Sequence, residues 1–148
     1  MENCGAKLRY TFIISCLISI SSCNRKHDFG YDEDKSEYMA NVNCFRQNYS
    51  TIYTPLNHTP SIYFSPVSAT KHAVCSELDT VMQKHGIAYV NFERDSSVAF
   101  YSLPQGINNK QFILIFITDR IKINDKIKKG IKLIDKIDSN CYELEKVN

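Results

Sequence analysis

The sequence predicts a small α+β domain in which amphipathic helices pack on a mostly antiparallel sheet. Apolar residues recur at helical spacing in three segments, whereas four shorter runs are rich in β-branched and aromatic residues and are separated by polar turns. The predicted order is helix, strand, helix, three-stranded meander, helix. A sheet with helices packed on it is the simplest arrangement that buries the apolar side of each of these elements.

The first two helices are predicted from apolar spacing and from their ends. One helix is expected from residue 38 to a point before Pro55, because apolar side chains recur there every three or four residues: Tyr38, Val42, Phe45, Tyr49 and Ile52. A short strand is expected over 61–64. The second helix is expected to begin at Ser65-Pro66 and to stop at Gly86, with Val67, Val74, Leu78, Val81 and Met82 on its apolar face.

The meander is predicted between residues 87 and 118. Strands are expected over 87–92 and 97–103, on either side of the polar turn 93–96. A third strand is expected over 111–118, and its continuous apolar run indicates burial on both faces.

The last predicted element is a basic amphipathic helix over 124–140. One side carries Ile127, Ile131, Ile134, Ile137 and Cys141, and the other carries Lys128, Lys129, Lys132 and Lys136. We consider these four lysines a candidate contact face for anionic lipid headgroups or for an acidic partner. A solvated helix face is the simpler alternative.

Near the N-terminus, basic residues precede an apolar run that ends at a cysteine. Lys7 and Arg9 come first, and residues 10–20 are largely apolar. This order is typical of a secretory signal peptide, and the run of about 11 residues is shorter than the ~20 that span a membrane as a helix. The segment Ile20-Ser21-Ser22-Cys23 resembles the lipobox of bacterial lipoproteins, although Ile20 stands where Leu is commonest.

The resemblance implies that residues 1–22 are removed and that Cys23 receives a diacylglycerol and an acylated amino terminus, which anchor the chain in a membrane. It places the protein in the bacterial envelope, facing the periplasm or the exterior. Asn24, where Asp would favour retention in the inner membrane, favours the outer membrane. Residues 23–37 are expected to form a lipidated cysteine and a flexible tether, and 38–148 a single domain. The alternative is that Cys23 is an ordinary cysteine after a standard signal peptide.

The signal peptide and the lipid leave three cysteines for the domain. Because an exported compartment is oxidising, one disulfide is expected among Cys44, Cys75 and Cys141. All three pairings remain open, and Cys44–Cys141 is favoured because it would join the two ends of the domain. No Cys-x-x-Cys or paired-histidine spacing suggests a metal site, and no cofactor is expected.

Charge and motifs favour binding over catalysis. A net charge of +2 gives no reason to expect a nucleic-acid partner. His72, Ser76 and Asp79 share one side of the predicted second helix and match the residue types of a hydrolytic triad. That side lies opposite the apolar one, so we expect it to face water and not a cleft with oxyanion donors.

The sequence therefore predicts a membrane-anchored envelope lipoprotein that acts as a non-catalytic protein-interaction or assembly-accessory module. One alternative is an immunity or inhibitor lipoprotein that neutralises an exported toxin or hydrolase. The other is a hydrolase that uses His72, Ser76 and Asp79. An abundance of aromatic residues fits either an exposed contact surface or a sheet core: Tyr49, Tyr53, Tyr63, Phe64, Tyr89 and Tyr101.

Overall fold

A computed structural model describes residues 27–53, 59–65, 75–106, 108–128 and 130–146. Several predictions lie outside these residues. They concern the signal peptide over 1–22, the lipidated Cys23, the catalytic candidate His72 and the lysine Lys129.

Three α-helices are present in the described residues. They are α1 (Tyr31–Gln47), α2 (Tyr49–Ile52) and α3 (Leu78–Lys84). The predicted helical spacing is confirmed in α1, where Tyr38, Val42 and Phe45 are fully buried. Leu78, Val81 and Met82 are buried on α3 as predicted, and Gly86 follows that helix at a φ of 61°. None of the helices within the described ranges is long and apolar enough to cross a membrane.

The N-terminal segment is folded where the sequence predicts a flexible tether over 23–37. Phe29 and Tyr31 are buried, and α1 already begins at Tyr31. The hydroxyl of Tyr38 donates to the carbonyl oxygen of Phe29 at 2.8 Å. The charged residues that suggest a tether are Asp32, Glu33 and Asp34 in the first turn of α1, where negative charge favours a helix N-terminus. The tether prediction is therefore wrong from residue 27 onward.

The strands of the described residues form one open antiparallel sheet of six strands, so the α+β class with an antiparallel sheet is confirmed. The order across the sheet is β1-β2-β3-β4-β6-β5. The strands are β1 (Ser61–Phe64), β2 (Ile87–Glu93), β3 (Val98–Ser102), β4 (Gln111–Phe116), β5 (Ile131–Lys136) and β6 (Cys141–Lys146). The prediction of a three-stranded meander with one further strand has too few strands, because β5 lies within the predicted helix over 124–140 and no strand is predicted at β6.

The C-terminal hairpin corrects the predicted helix over 124–140. Among the described residues of this segment, only a 3₁₀ turn over Ile123–Asp125 is helical, and Gly130 at a φ of 85° precedes β5. Isoleucine is β-branched and favours strands, so spacing alone is a weak guide in this segment. Pairing decides the outcome, because β6 aligns with β4 over six residue pairs. The predicted lysine face does not form, since Lys132 is aligned with Glu145, whereas Lys136 is aligned with Tyr142 on the opposite side of the sheet.

The two faces of the sheet carry different layers. The inner face packs against α1 and α3, and its core includes the contacting rings of Tyr38 and Phe100, with centroids 5.0 Å apart, and of Phe45 and Phe92, 5.3 Å apart. The outer face has a second apolar cluster of Ala99, Ile113, Ile115, Ile117 and Leu144. The strand β4 is buried on both faces, which confirms the prediction for this apolar run.

The disulfide joins Cys44 to Cys75, with Cα atoms 5.8 Å apart, and it connects α1 to the turn before α3. The favoured pairing of Cys44 with Cys141 is therefore wrong. Cys141 is a free thiol and the first residue of β6. It is buried in the inner core and is aligned with Phe116 of β4. Burial raises the pKa of the Cys141 thiol to about 12, so it is protonated at neutral pH.

Candidate functional site

The outer face of β1–β3 carries exposed aromatic and apolar side chains. Along β1, Ile62 and Phe64 contribute to the inner core, so Tyr63 projects to the outer face. The same alternation places Tyr101 outward from β3, because Phe100 points inward. Tyr89 is aligned with Tyr101. Leu103, two residues after Tyr101 and just beyond β3, is exposed, and continued alternation would place it on the same face. We define the tyrosine face as Tyr63, Tyr89, Tyr101 and Leu103.

The three rings form a continuous row across three strands. The ring centroids of Tyr63 and Tyr89 are 5.7 Å apart at an angle of 63°, and those of Tyr89 and Tyr101 are 4.4 Å apart at 16°. Tyr63 is 62% exposed and Leu103 is 59% exposed. Tyr89 and Tyr101 stack against each other, and Tyr63 contacts Tyr89. The exposed Tyr63 is therefore part of one ordered aromatic surface and is not an isolated side chain.

The other half of the outer face is covered by the segment over 118–128. Ile121 and Ile123 of this segment pack on the apolar cluster of β4 and β6. The ammonium of Lys126 bonds to Glu93 at 2.7 Å and also to Asp95. The segment is thereby held against the turn between β2 and β3, and no other part of the chain that the structure describes covers the tyrosine face.

The Lys126 contacts persist over a wide pH range. Burial alone would lower the pKa of Lys126, but the hydrogen bonds to Asp95 and Glu93 outweigh burial and raise that pKa. Burial alone would raise the pKa of Asp95, but the bonds from Lys126 and Ser97 outweigh it and lower that pKa. Both partners are therefore charged at neutral pH.

Tyr89 and Tyr101 of the tyrosine face are uncharged near neutral pH. Burial raises the pKa of Tyr89 and, more strongly, that of Tyr101. The hydroxyl of Tyr89 lies 3.5 Å from the amide oxygen of Gln111, to which it donates. Neutral phenols offer apolar ring area together with hydroxyl donors and acceptors, a combination that is enriched at protein interfaces.

A second cluster of polar residues lies between α1 and α3. Asp34, Glu37 and His85 place ligand-type atoms within 4.8 Å of one another. The ammonium of Lys84 already lies 2.7 Å from Asp34 and 3.6 Å from Glu37, and His85 Nε2 lies 2.9 Å from Asp34. A metal ion would have to displace Lys84. The arrangement therefore fits a contact between two helices better than a metal centre.

A cleft of about 530 Å³ opens where the start of α1 meets β5 and β6. Its lining includes five carboxylates, those of Asp28, Asp32, Glu33, Asp135 and Glu143. Glu143 is only 2% exposed and lies on the inner face of β6. The cleft favours cationic groups over anionic ones.

The proposed triad residues are not assembled within the described residues. Ser76 is exposed in the turn before α3, and Asp79 accepts a hydrogen bond from the amide nitrogen of Gln83 at 3.0 Å. His72 is outside the described ranges. Of the four predicted contact lysines, Lys128 is exposed in the segment before β5, and Lys132 and Lys136 lie on opposite faces of that strand.

The sequence leaves open whether the aromatic residues form the sheet core or an exposed contact surface, and the structure shows that some do each. Tyr53 and Phe64 are buried in the inner core, and Tyr49 packs against it. Tyr63, Tyr89 and Tyr101 instead form the outer row. Period-two alternation in β1 and β3 could have identified Tyr63 and Tyr101. Tyr89 follows the same alternation, because Val90 and Phe92 of β2 are in the inner core and the register shift lies before Tyr89.

The chain was compared with protein-family models, with curated proteins and with solved structures. None of the three comparisons found a match. The candidate site with the clearest geometry is the tyrosine face.

Proposed function

We propose that this chain is a lipid-anchored protein of the bacterial envelope whose folded domain binds a partner protein through the tyrosine face. The observation that carries the proposal is the row of contacting rings of Tyr63, Tyr89 and Tyr101, with Tyr63 and the nearby Leu103 exposed and Tyr89 and Tyr101 half-buried. The proposed anchor is the lipid on Cys23, which would hold this surface close to a membrane.

The chemistry of the row favours a protein partner. Two of its ring faces are occupied by the stacking of Tyr89 on Tyr101, so a ligand meets ring edges, hydroxyls and the exposed ring of Tyr63. Tyrosine anchors of this kind dominate binding energy at protein interfaces when water is excluded around them. No catalytic step is assigned to this surface.

Site-specific photocrosslinking in the producing cells tests the surface. A benzoyl-phenylalanine at position 63 should form one discrete adduct, because it replaces the most exposed ring of the row. The same label at Gln83 is the matched control, since Gln83 is exposed on α3, on the other side of the sheet. The substitution Leu103→Ser should weaken the adduct formed from position 63.

Equal adducts from positions 63 and 83, or an adduct at 63 that Leu103→Ser leaves unchanged, would contradict the proposed surface. Mass spectrometry of the adduct also separates the two binding roles. A resident envelope protein would support an assembly-accessory role, and an exported toxin or hydrolase would support an immunity role.

The anchor is tested separately by growth with labelled palmitate. The native chain should incorporate label, and the Cys23→Ser chain should not. Label on the Cys23→Ser chain would refute lipidation at this cysteine without bearing on the tyrosine face.

A further inference from the structure

The strand β5 is an open edge of the sheet, at the opposite end from β1. Within the described residues it pairs only with β6, and five of its six residues are exposed. Leu133 is 43% exposed and Ile134 is 36% exposed. An edge strand with apolar side chains in water offers backbone donors and acceptors for a further strand.

An irregularity in β5 places two opposite charges on the same face. Lys132 is aligned with Glu145 and Asp135 with Glu143, and these glutamates share the inner face of β6. Residues 132 and 135 would lie on opposite faces of a regular strand, because side chains alternate. The register shift between Leu133 and Asp135 adds one residue and brings both charges to the inner face.

As a result, β5 is complementary to itself in the antiparallel direction. When a second copy is aligned about a two-fold axis normal to the sheet, Lys132 faces Asp135 of the second copy and Leu133 faces its Ile134. Each of these pairs occurs twice. In the remaining pair, the aliphatic part of the exposed Lys136 side chain lies beside Ile131 of the second copy. From this complementarity we propose that two copies of the chain associate through their β5 strands.

The association would join two six-stranded sheets into one sheet of twelve strands. A two-fold axis normal to the sheet keeps the outer faces on the same side, so both tyrosine faces would be presented in one direction. The contact area of a single strand pair is small, so the dimer is expected to be weak and reversible. Anchoring of both copies in one membrane would raise their effective concentration.

Charge reversal on the full chain in detergent solution tests the pairing by sedimentation equilibrium. Lys132→Asp and Asp135→Lys should each raise the dimer dissociation constant about tenfold or more, because like charges then face each other. The double variant Lys132→Asp with Asp135→Lys should restore the dissociation constant towards the native value. A native chain that stays monomeric up to about 1 mM would overturn the proposal.

Lys132 also lies 3.3 Å from Glu145 of its own chain, so a substitution at Lys132 could disturb the fold. A second measurement therefore uses the unaltered chain. Chains with normal and heavy nitrogen are mixed and treated with a carbodiimide, which links an amine directly to a carboxylate. Peptides that join Lys132 of one isotope to Asp135 of the other are expected. A dimer without this mixed-isotope link, or one that both charge reversals leave unchanged, would show that another surface pairs.

Discussion

At Gly30, both the backbone conformation and the packing restrict the choice of side chain. It precedes α1 with a φ of 57°, and a Cβ built there would lie 2.7 Å from His85 Cε1 and 2.9 Å from His85 Nδ1. The close approach is possible only because glycine has no side chain. It lets His85 reach Asp34 at 2.9 Å.

The substitution Gly30→Ala should lower the free energy of unfolding by about 2 kcal/mol or more. The cost of holding alanine in a left-handed conformation and the cost of the steric overlap with His85 add together. Gly106→Ala is the matched control, since Gly106 has a φ of 69° and nothing within 4 Å of a built Cβ. It should cost only about 1 kcal/mol. Urea unfolding of both variants measures the difference, and equal losses would mean that His85 moves aside at no cost.

His27 should make stability depend on pH. Its Nε2 lies 3.1 Å from the carbonyl oxygen of His85 and its Nδ1 lies 2.7 Å from the amide nitrogen of Gln105, which fits a neutral ring with one donor and one acceptor. Burial lowers the pKa of His27 below its ordinary value near 6.5. The unfolded chain therefore binds the proton first as pH falls, and stability is lost from about pH 6.5 downward.

The measurement is the urea midpoint at pH 7.5 and at pH 5.5. The native chain should be less stable at the lower pH, and His27→Gln should reduce the difference between the two midpoints. Asp28→Asn serves as control, because it leaves the imidazole ring in place and should retain most of the pH dependence. If His27→Gln keeps the full difference, another group carries it.

At the scale of elements, the disulfide holds α1 against the turn that leads into α3. Cys44 and Cys75 are 31 residues apart, and closing a loop of this length in the unfolded chain accounts for about 3–4 kcal/mol of stability. Cys44→Ala with Cys75→Ala should lower the unfolding free energy by about that amount. Cys141→Ala should cost less, because it removes only one buried sulfur.

A peptide map of the unreduced chain checks the pairing directly. The expected linked peptides contain Cys44 and Cys75, with Cys141 alkylated only after unfolding because it is buried. A link between Cys44 and Cys141 would contradict the structure and restore the pairing that the sequence favours.

The elements that the sequence predicts best are those with local signals. The meander strands are bounded by polar turns, and Gly86 follows closely after the end of α3 at Lys84, so alternation and breaker residues suffice. The C-terminal hairpin fails because isoleucines at positions 127, 131, 134 and 137 match a helical period. Only the distant pairing with β4 decides for strands.

The N-terminal segment and the tyrosine face fail for related reasons. The charges after Phe29 resemble a tether, and burial of Phe29 depends on tertiary contacts such as the bond from Tyr38. Alternation within a strand indicates which tyrosines point outward, but how much of the outer face stays uncovered depends on where the segment over 118–128 lies. Burial of Phe29 and the extent of the uncovered face therefore depend on contacts between residues that are distant in sequence.

At the scale of the whole molecule, buried tyrosines connect the layers. Tyr31 and Tyr38 join the N-terminal segment to the inner core, and Tyr53 donates to the carbonyl oxygen of Phe92 in β2. Burial raises the pKa of Tyr31 and of Tyr53 to about 12, and it raises that of Tyr38 further. On the outer face, burial raises the pKa of Tyr101 as well.

These shifts predict cooperative alkaline unfolding. The unfolded chain loses phenolic protons near pH 10, whereas the folded chain keeps those of its buried tyrosines, so stability is full below about pH 10 and is lost as pH rises towards 12. Phenolate absorbance and far-ultraviolet circular dichroism should therefore change together in a steep step for part of the nine tyrosines. In concentrated urea the same tyrosines should instead titrate gradually near pH 10. Full phenolate formation near pH 10 with unchanged circular dichroism would mean that solvent reaches these rings in the folded chain, and the inner core would then be less closed than its packing indicates.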